Sequence, residues 1–96
     1  MKDLGEIKEA LSRQKPVLIE KYKVKEIGIF GSYVRGEQEN ISDIDILVEF
    51  SEPIGWEFID LQEYLEDILS LKVDLVTANA LRSQFKDRIL REVAYV

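Results

Sequence analysis

Ninety-six residues fit one domain, since independent domains most often run to about 100–150 residues. The chain is 46% apolar and 33% charged, a globular rather than disordered balance, and nineteen Asp and Glu against thirteen Lys and Arg leave a net charge of −6. It has neither cysteine nor histidine, which excludes disulfide frameworks, thiol nucleophiles, Cys/His zinc sites and any Ser-His-Asp triad.

Leu4, Ile7 and Leu11 recur at helical spacing and predict an amphipathic helix over 3–13. Pro16 interrupts it at a position where a new helix tolerates proline, and a second short helix runs from there to about Tyr22. The apolar run Lys25 to Phe30 reads as a buried strand that Gly31 ends. Gly31 to Gly36 (GSYVRG) reads as a turn entering a short helix, and Glu37 to Ser42 as a polar turn. Asp43 to Phe50 (DIDILVEF) is strand-like, with β-branched and aromatic residues after its acids.

Pro53 and Gly55 mark a loop, after which Phe58, Leu61, Leu65 and Ile68 predict a helix from about Trp56 to Ser70. Lys72 to Thr77 reads as a third strand. Leu81, Phe85, Ile89 and Val93 repeat every four residues and predict a closing helix, with Asn79 as a candidate cap. The expected architecture is one α/β (α+β) domain over 1–96, with a three-stranded mixed core sheet packed with about four helices. There is no internal repeat or linker.

The charge disfavours long polynucleotides, whose binding draws mainly on Lys and Arg, and the cluster Lys21, Lys23 and Lys25 reads as a solvated turn. The N-terminus lacks a signal-like apolar core and no stretch reaches membrane-spanning length, so a cytoplasmic protein is expected.

Chemistry concentrates between Ile29 and Glu49. Residues two apart in a strand share a face, so Asp43 and Asp45 point the same way while Ile44 and Ile46 anchor the other side. Paired carboxylates repel, and a divalent cation held with substrate phosphates relieves that repulsion; a solvent-facing pair is the alternative. Gly31 and Ser32 open a helix where backbone N–H groups can meet a phosphate, although Ser32 is also a favoured capping residue. Asp74 interrupts the apolar strand KVDLV and can converge on the face of Asp43 and Asp45, or face solvent. Three acids beside a phosphate-binding turn suggest two-metal phosphoryl or nucleotidyl transfer, with Asp74 accepting the attacking hydroxyl's proton.

Gly31-Ser32, ten intervening residues and Asp43-Ile44-Asp45 reproduce the G-S-x10-D-x-D signature of nucleotidyltransferases of the DNA polymerase β superfamily. GSYVRGE with SDIDILVEF resembles the minimal nucleotidyltransferases, and the likeness extends through KVDLVT to DRILREVAYV. The resemblance implies that Asp43 and Asp45 bind Mg²⁺, with Asp74 completing the carboxylate set and two ions expected. It implies that Gly31 and Ser32 hold the phosphates of ATP as donor. Arg35 matches the pattern too, either neutralising the triphosphate or pairing with an acid such as Glu37.

The acceptor-binding domains of larger family members have no counterpart in these residues. Chains of this type are typically paired with a HEPN-domain ribonuclease. The resemblance therefore implies an antitoxin that moves AMP onto a tyrosine of a HEPN toxin and forms a complex with it. Two alternatives stay open. One is inhibition by occlusion through apolar surface around Trp56 and Ala94-Tyr95-Val96; the other is transfer to a small molecule or an RNA end.

Overall fold

A computed structural model describes residues 3–39 and 43–96. Helix α1 (Leu4–Arg13) starts where the Asp3 carboxylate accepts the Glu6 N–H at 2.9 Å, and it buries Ile7 and Leu11. Pro16 lies in the first turn of α2 (Lys15–Glu20), where its missing N–H costs nothing, and Leu18 is the buried residue of that helix. Lys23, at φ 59°, turns the chain into β1 (Val24–Phe30). There follow α3 (Ser32–Arg35), β2 (Ile44–Phe50), α4 (Glu57–Leu69), β3 (Val73–Thr77), a 3₁₀ turn (Ala78–Ala80), α5 (Ser83–Glu92) and β4 (Ala94–Tyr95).

The four strands lie in the order β3-β2-β1-β4. β1 pairs antiparallel with β2 and β4, whereas β2 and β3 are parallel and α4 supplies the crossover that parallel strands require. Ile27 and Ile29 of β1, Ile44, Ile46 and Val48 of β2, and Val73 and Leu75 of β3 meet Ile7, Leu11, Leu18, Leu61, Leu65 and Leu69 in one core. No buried residue is polar or charged among the described residues. Residues of opposite parity, Gly28, Phe30, Asp45, Leu47 and Asp74, face the other side of the sheet. No helix among the described residues is long and apolar enough to cross a membrane.

The mixed α+β architecture is the expected one, with corrections. Among the described residues there are four strands rather than three, and five helices rather than about four. The four-residue periodicity runs through Val93, but the helix stops at Glu92 and Ala94 and Tyr95 pair with Ile29 and Gly28. Gly28 makes this possible, since a Cβ there would collide with Val93 Cγ1 and lie 3.2 Å from Tyr95 Cδ1. Asn79 caps nothing: it lies in the 3₁₀ turn, and Arg82 occupies the α5 cap position. The predicted polar turn 37–42 falls partly on Asn40, Ile41 and Ser42, outside the described residues.

Replacing Gly28 with Val is expected to unseat β4, because the added side chain needs the space of Val93. The expected loss is about 1–3 kcal/mol of unfolding free energy. Thermal unfolding measures it, and the Val96 N–H, which donates to Ile27 O at 3.0 Å, should exchange faster with solvent.

Candidate active site

Asp45 sits in the middle of the sheet. Its register partners are Phe30 on β1 and Asp74 on β3, so the Asp45 and Asp74 carboxylates lie side by side on the face away from the main core. Asp43 stands just before β2, exposed, with the same parity. The strand starts are held in place by the Ile44 N–H, which donates to Lys72 O at 2.9 Å. Val73, next to Asp74, donates its N–H to Glu66 Oε2 and accepts at its carbonyl from Gln62 Nε2, each at 3.0 Å. Two polar residues of α4 thus satisfy the backbone of β3 where the acid is presented.

The turn between β1 and α3 closes on this carboxylate pair. Gly31 has φ 79°, and a Cβ built there would collide with Asp45 Oδ2, so both its conformation and its surroundings demand glycine. Gly31, rather than Ser32, occupies the N-cap position; Ser32 is the first residue of α3. First-turn amides have no partner within their own helix, and those of Ser32 and Tyr33 open α3. A helix of four residues adds little macrodipole, so a phosphate here would rely on the backbone amide and hydroxyl of Ser32.

Arg35 closes the turn. Its Nη1 donates to Glu92 Oε1 at 2.6 Å and its Nε to Glu37 Oε2 at 3.2 Å. The ion pair with Glu37 is the one that sequence proximity suggested. Glu92 comes from 57 residues along the chain, and its second oxygen accepts the Gly31 N–H at 3.1 Å. Nothing in the local pattern of REVAYV distinguishes Glu92 from a surface acid.

Burial, then the neighbouring Asp74 carboxylate, then Asp43, push the Asp45 carboxyl up to about 6, against an opposing pull from Arg35. The Tyr33 phenol is raised by burial and by the Asp43 charge. Burial works to raise the Glu92 carboxyl, but hydrogen bonds from Arg35 and the Gly31 N–H hold it below its ordinary value.

Among the described residues no group of three or more Asp or Glu is gathered at metal-ligand spacing. Mg²⁺ does not require such a cage, because one or two carboxylates with substrate phosphates and water suffice. The hard oxygen donors of Asp43 and Asp45, and the only partly relieved repulsion around Asp45, fit such an ion. The face continues past Leu47 into a hollow of about 210 Å³ lined by Glu26, Glu49, Leu90 and Tyr95. A larger hollow of about 480 Å³ lies at the opposite ends of β2 and β3, near Pro53 and Asn79, away from the carboxylates.

Asp45 tests this electrostatic picture directly. Its folded-state pKa of about 6 exceeds the unfolded value of 3.8, so it favours the folded protein below about pH 4, and that contribution is lost as pH rises through 6. Asp45→Asn is therefore expected to stabilise the metal-free protein at pH 7 by about 1–2 kcal/mol, solvent screening of a half-buried group allowed for. It should also flatten the dependence of the thermal midpoint on pH between 4 and 7. Calorimetry in the presence of a chelator reads both.

A family model described as a nucleotidyltransferase domain matches residues 6–96. The protein adenylyltransferase MntA of Thermococcus cleftensis is 52% identical over 97 residues, covering 100% of this chain and 98% of that protein. A solved toxin–antitoxin structure with AMP-PNP aligns at TM-score 0.69 and 26% identity, over 86% of this chain and 69% of that one. A chain of the solved complex of tri-AMPylated Shewanella oneidensis HEPN toxin with MNT antitoxin shares the fold at TM-score 0.62 and 21% identity, over 92% and 70% of the two chains. With Gly31-Ser32 turned against Asp45 and Asp74 in register beside it, the chain belongs to the nucleotidyltransferase domain family, among the minimal nucleotidyltransferases.

Proposed function

We propose that this nucleotidyltransferase moves AMP from ATP onto a hydroxyl of a partner protein with Mg²⁺, acting as the antitoxin of a HEPN-domain toxin. The observation that carries the reading is the contact of the Gly31 turn with Asp45, whose register partner is Asp74. A phosphate group on the turn then lies next to the carboxylates. The AMP-PNP in the toxin–antitoxin relative supports ATP as donor, and the AMPylated HEPN toxin in another supports the acceptor.

Within this reading Asp43 and Asp45 hold Mg²⁺, and the Ser32 amide and hydroxyl and Arg35 face the phosphates. Mg²⁺, when bound, supplies positive charge that offsets the charge developing on the phosphate oxygens. Asp74, exposed at the edge of the pair, accepts the proton of the acceptor hydroxyl as that oxygen bonds to the α-phosphorus. The bond from the α-phosphorus to the bridging oxygen breaks and pyrophosphate departs with the electron pair. The reaction needs no histidine, in keeping with a chain that has none.

One observation favours occlusion as a second reading. Trp56 is 82% exposed at the start of α4, with Ile59 50% exposed one turn on, an apolar surface suited to a partner. Tyr95 in β4 is also 47% exposed, whereas Val96 packs against the core.

The test is incubation with ATP labelled on its α-phosphate, Mg²⁺ and a HEPN-domain protein from the same genome, the product of the adjacent reading frame being the first choice. Label should appear on the HEPN protein and fall by more than about 100-fold with Asp43→Asn or Asp45→Asn. Absence of label, or equal labelling by both variants, would contradict enzymatic transfer. Full neutralisation of the toxin in cells by Asp45→Asn would instead establish occlusion.

A further inference from the structure

Glu92 is the last residue of α5, yet its carboxylate ends in the β1–α3 turn. One oxygen accepts the Gly31 N–H at 3.1 Å, and the other accepts Arg35 Nη1 at 2.6 Å. We propose that Glu92 is a positioning residue of the nucleotide site: it braces the turn against Asp45 and aims Arg35 at the phosphates. This rests on the nucleotidyltransferase reading above.

Shelter separates this ion pair from an ordinary surface contact. The Glu92 side chain is 18% exposed, against 63% for Glu37, the other partner of Arg35. Solvent and salt screen the Glu37 pair far more, so Glu92 sets where the guanidinium sits. Arginine has five N–H donors, so two carboxylates do not exhaust what it can offer a phosphate.

The backbone beneath Glu92 is fixed. Val93 donates its N–H to Ile89 O at 3.0 Å, its side chain lies over Gly28, and Ala94 and Tyr95 pair with Ile29 and Gly28. The carboxylate is therefore delivered by a strand-anchored corner rather than by a loose tail. Gly31 is also the residue whose backbone leaves no room for a Cβ beside Asp45. A shift of the turn would move both the phosphate-facing amides and one wall of the carboxylate site. Glu92 takes up the Gly31 N–H, leaving the Ser32 amide and hydroxyl to meet the phosphate.

The opposite role makes the opposite prediction. A carboxylate that merely occupied an anion site would compete with the nucleotide, and its removal would tighten binding.

The experiment is calorimetric titration with α,β-methylene ATP and Mg²⁺, without any acceptor protein, so that binding is read apart from transfer. Glu92→Gln should raise Kd about five- to tenfold and Arg35→Gln by a similar factor. Because part of the effect of Glu92 runs through Arg35, the double variant should lose clearly less than the product of the two single losses. Glu37→Gln should leave Kd unchanged. Equal or tighter binding by Glu92→Gln, or additive losses in the double variant, would overturn the proposal, as would a lower thermal midpoint with unaltered Kd. Should Glu92→Gln fail to fold, Arg35→Gln decides: binding like that of the unsubstituted protein overturns the proposal, and a five- to tenfold loss sustains it. An unsubstituted protein that binds no analogue at all would sink the nucleotidyltransferase reading itself.

Discussion

At Gly31 the backbone runs at φ 79° so close to the Asp45 carboxylate that no side chain fits between them. That contact joins the end of β1 to the start of β2 and sets the distance from the Gly31-Ser32 turn to the carboxylate pair. Much of the remaining architecture holds the two surfaces together. The antiparallel pairing of β1 with β2 places Phe30 opposite Asp45, and the parallel pairing with β3 brings Asp74 alongside. Gln62 and Glu66 of α4 fix the β3 backbone next to that acid.

The electrostatics work against the isolated fold. Asp45 is half-buried, flanked by two acids and only partly relieved by Arg35, and its carboxyl is pushed up to about 6. Folding concentrates like charge where a binding site needs it, and the apolar core on the opposite face of the sheet offsets the cost. The two faces thus divide the labour. Ile44, Ile46 and Val48 secure β2 to the helices, while Asp45 is presented between those anchors and Asp43 just ahead of them.

Helices α1 and α4 and the first three strands were legible because each carries a strong local period with an apolar face of matching width. The carboxylates were legible for the same reason, since strand alternation alone places Asp43 and Asp45 together. The last segment was misread at Val93, where helical spacing continues past the true end of the helix. There, pairing with the exposed edge of β1 over Gly28 outweighs local periodicity. Ser32 suits a cap by residue type, but Gly31, at positive φ, takes the cap position and Ser32 opens the helix.

Composition by itself excluded thiol, imidazole and Cys/His zinc chemistry, and spacing by itself set Gly31-Ser32 before Asp43 and Asp45 with ten intervening residues. Only the tertiary structure decided that Asp74 stands in register with Asp45, that Gly31 is pressed against it, and that Glu92 reaches back to Gly31 and Arg35. The physical reason is range. Strand alternation and turn propensity act over a few residues, whereas strand register and an ion pair 57 residues apart exist only once the sheet has formed.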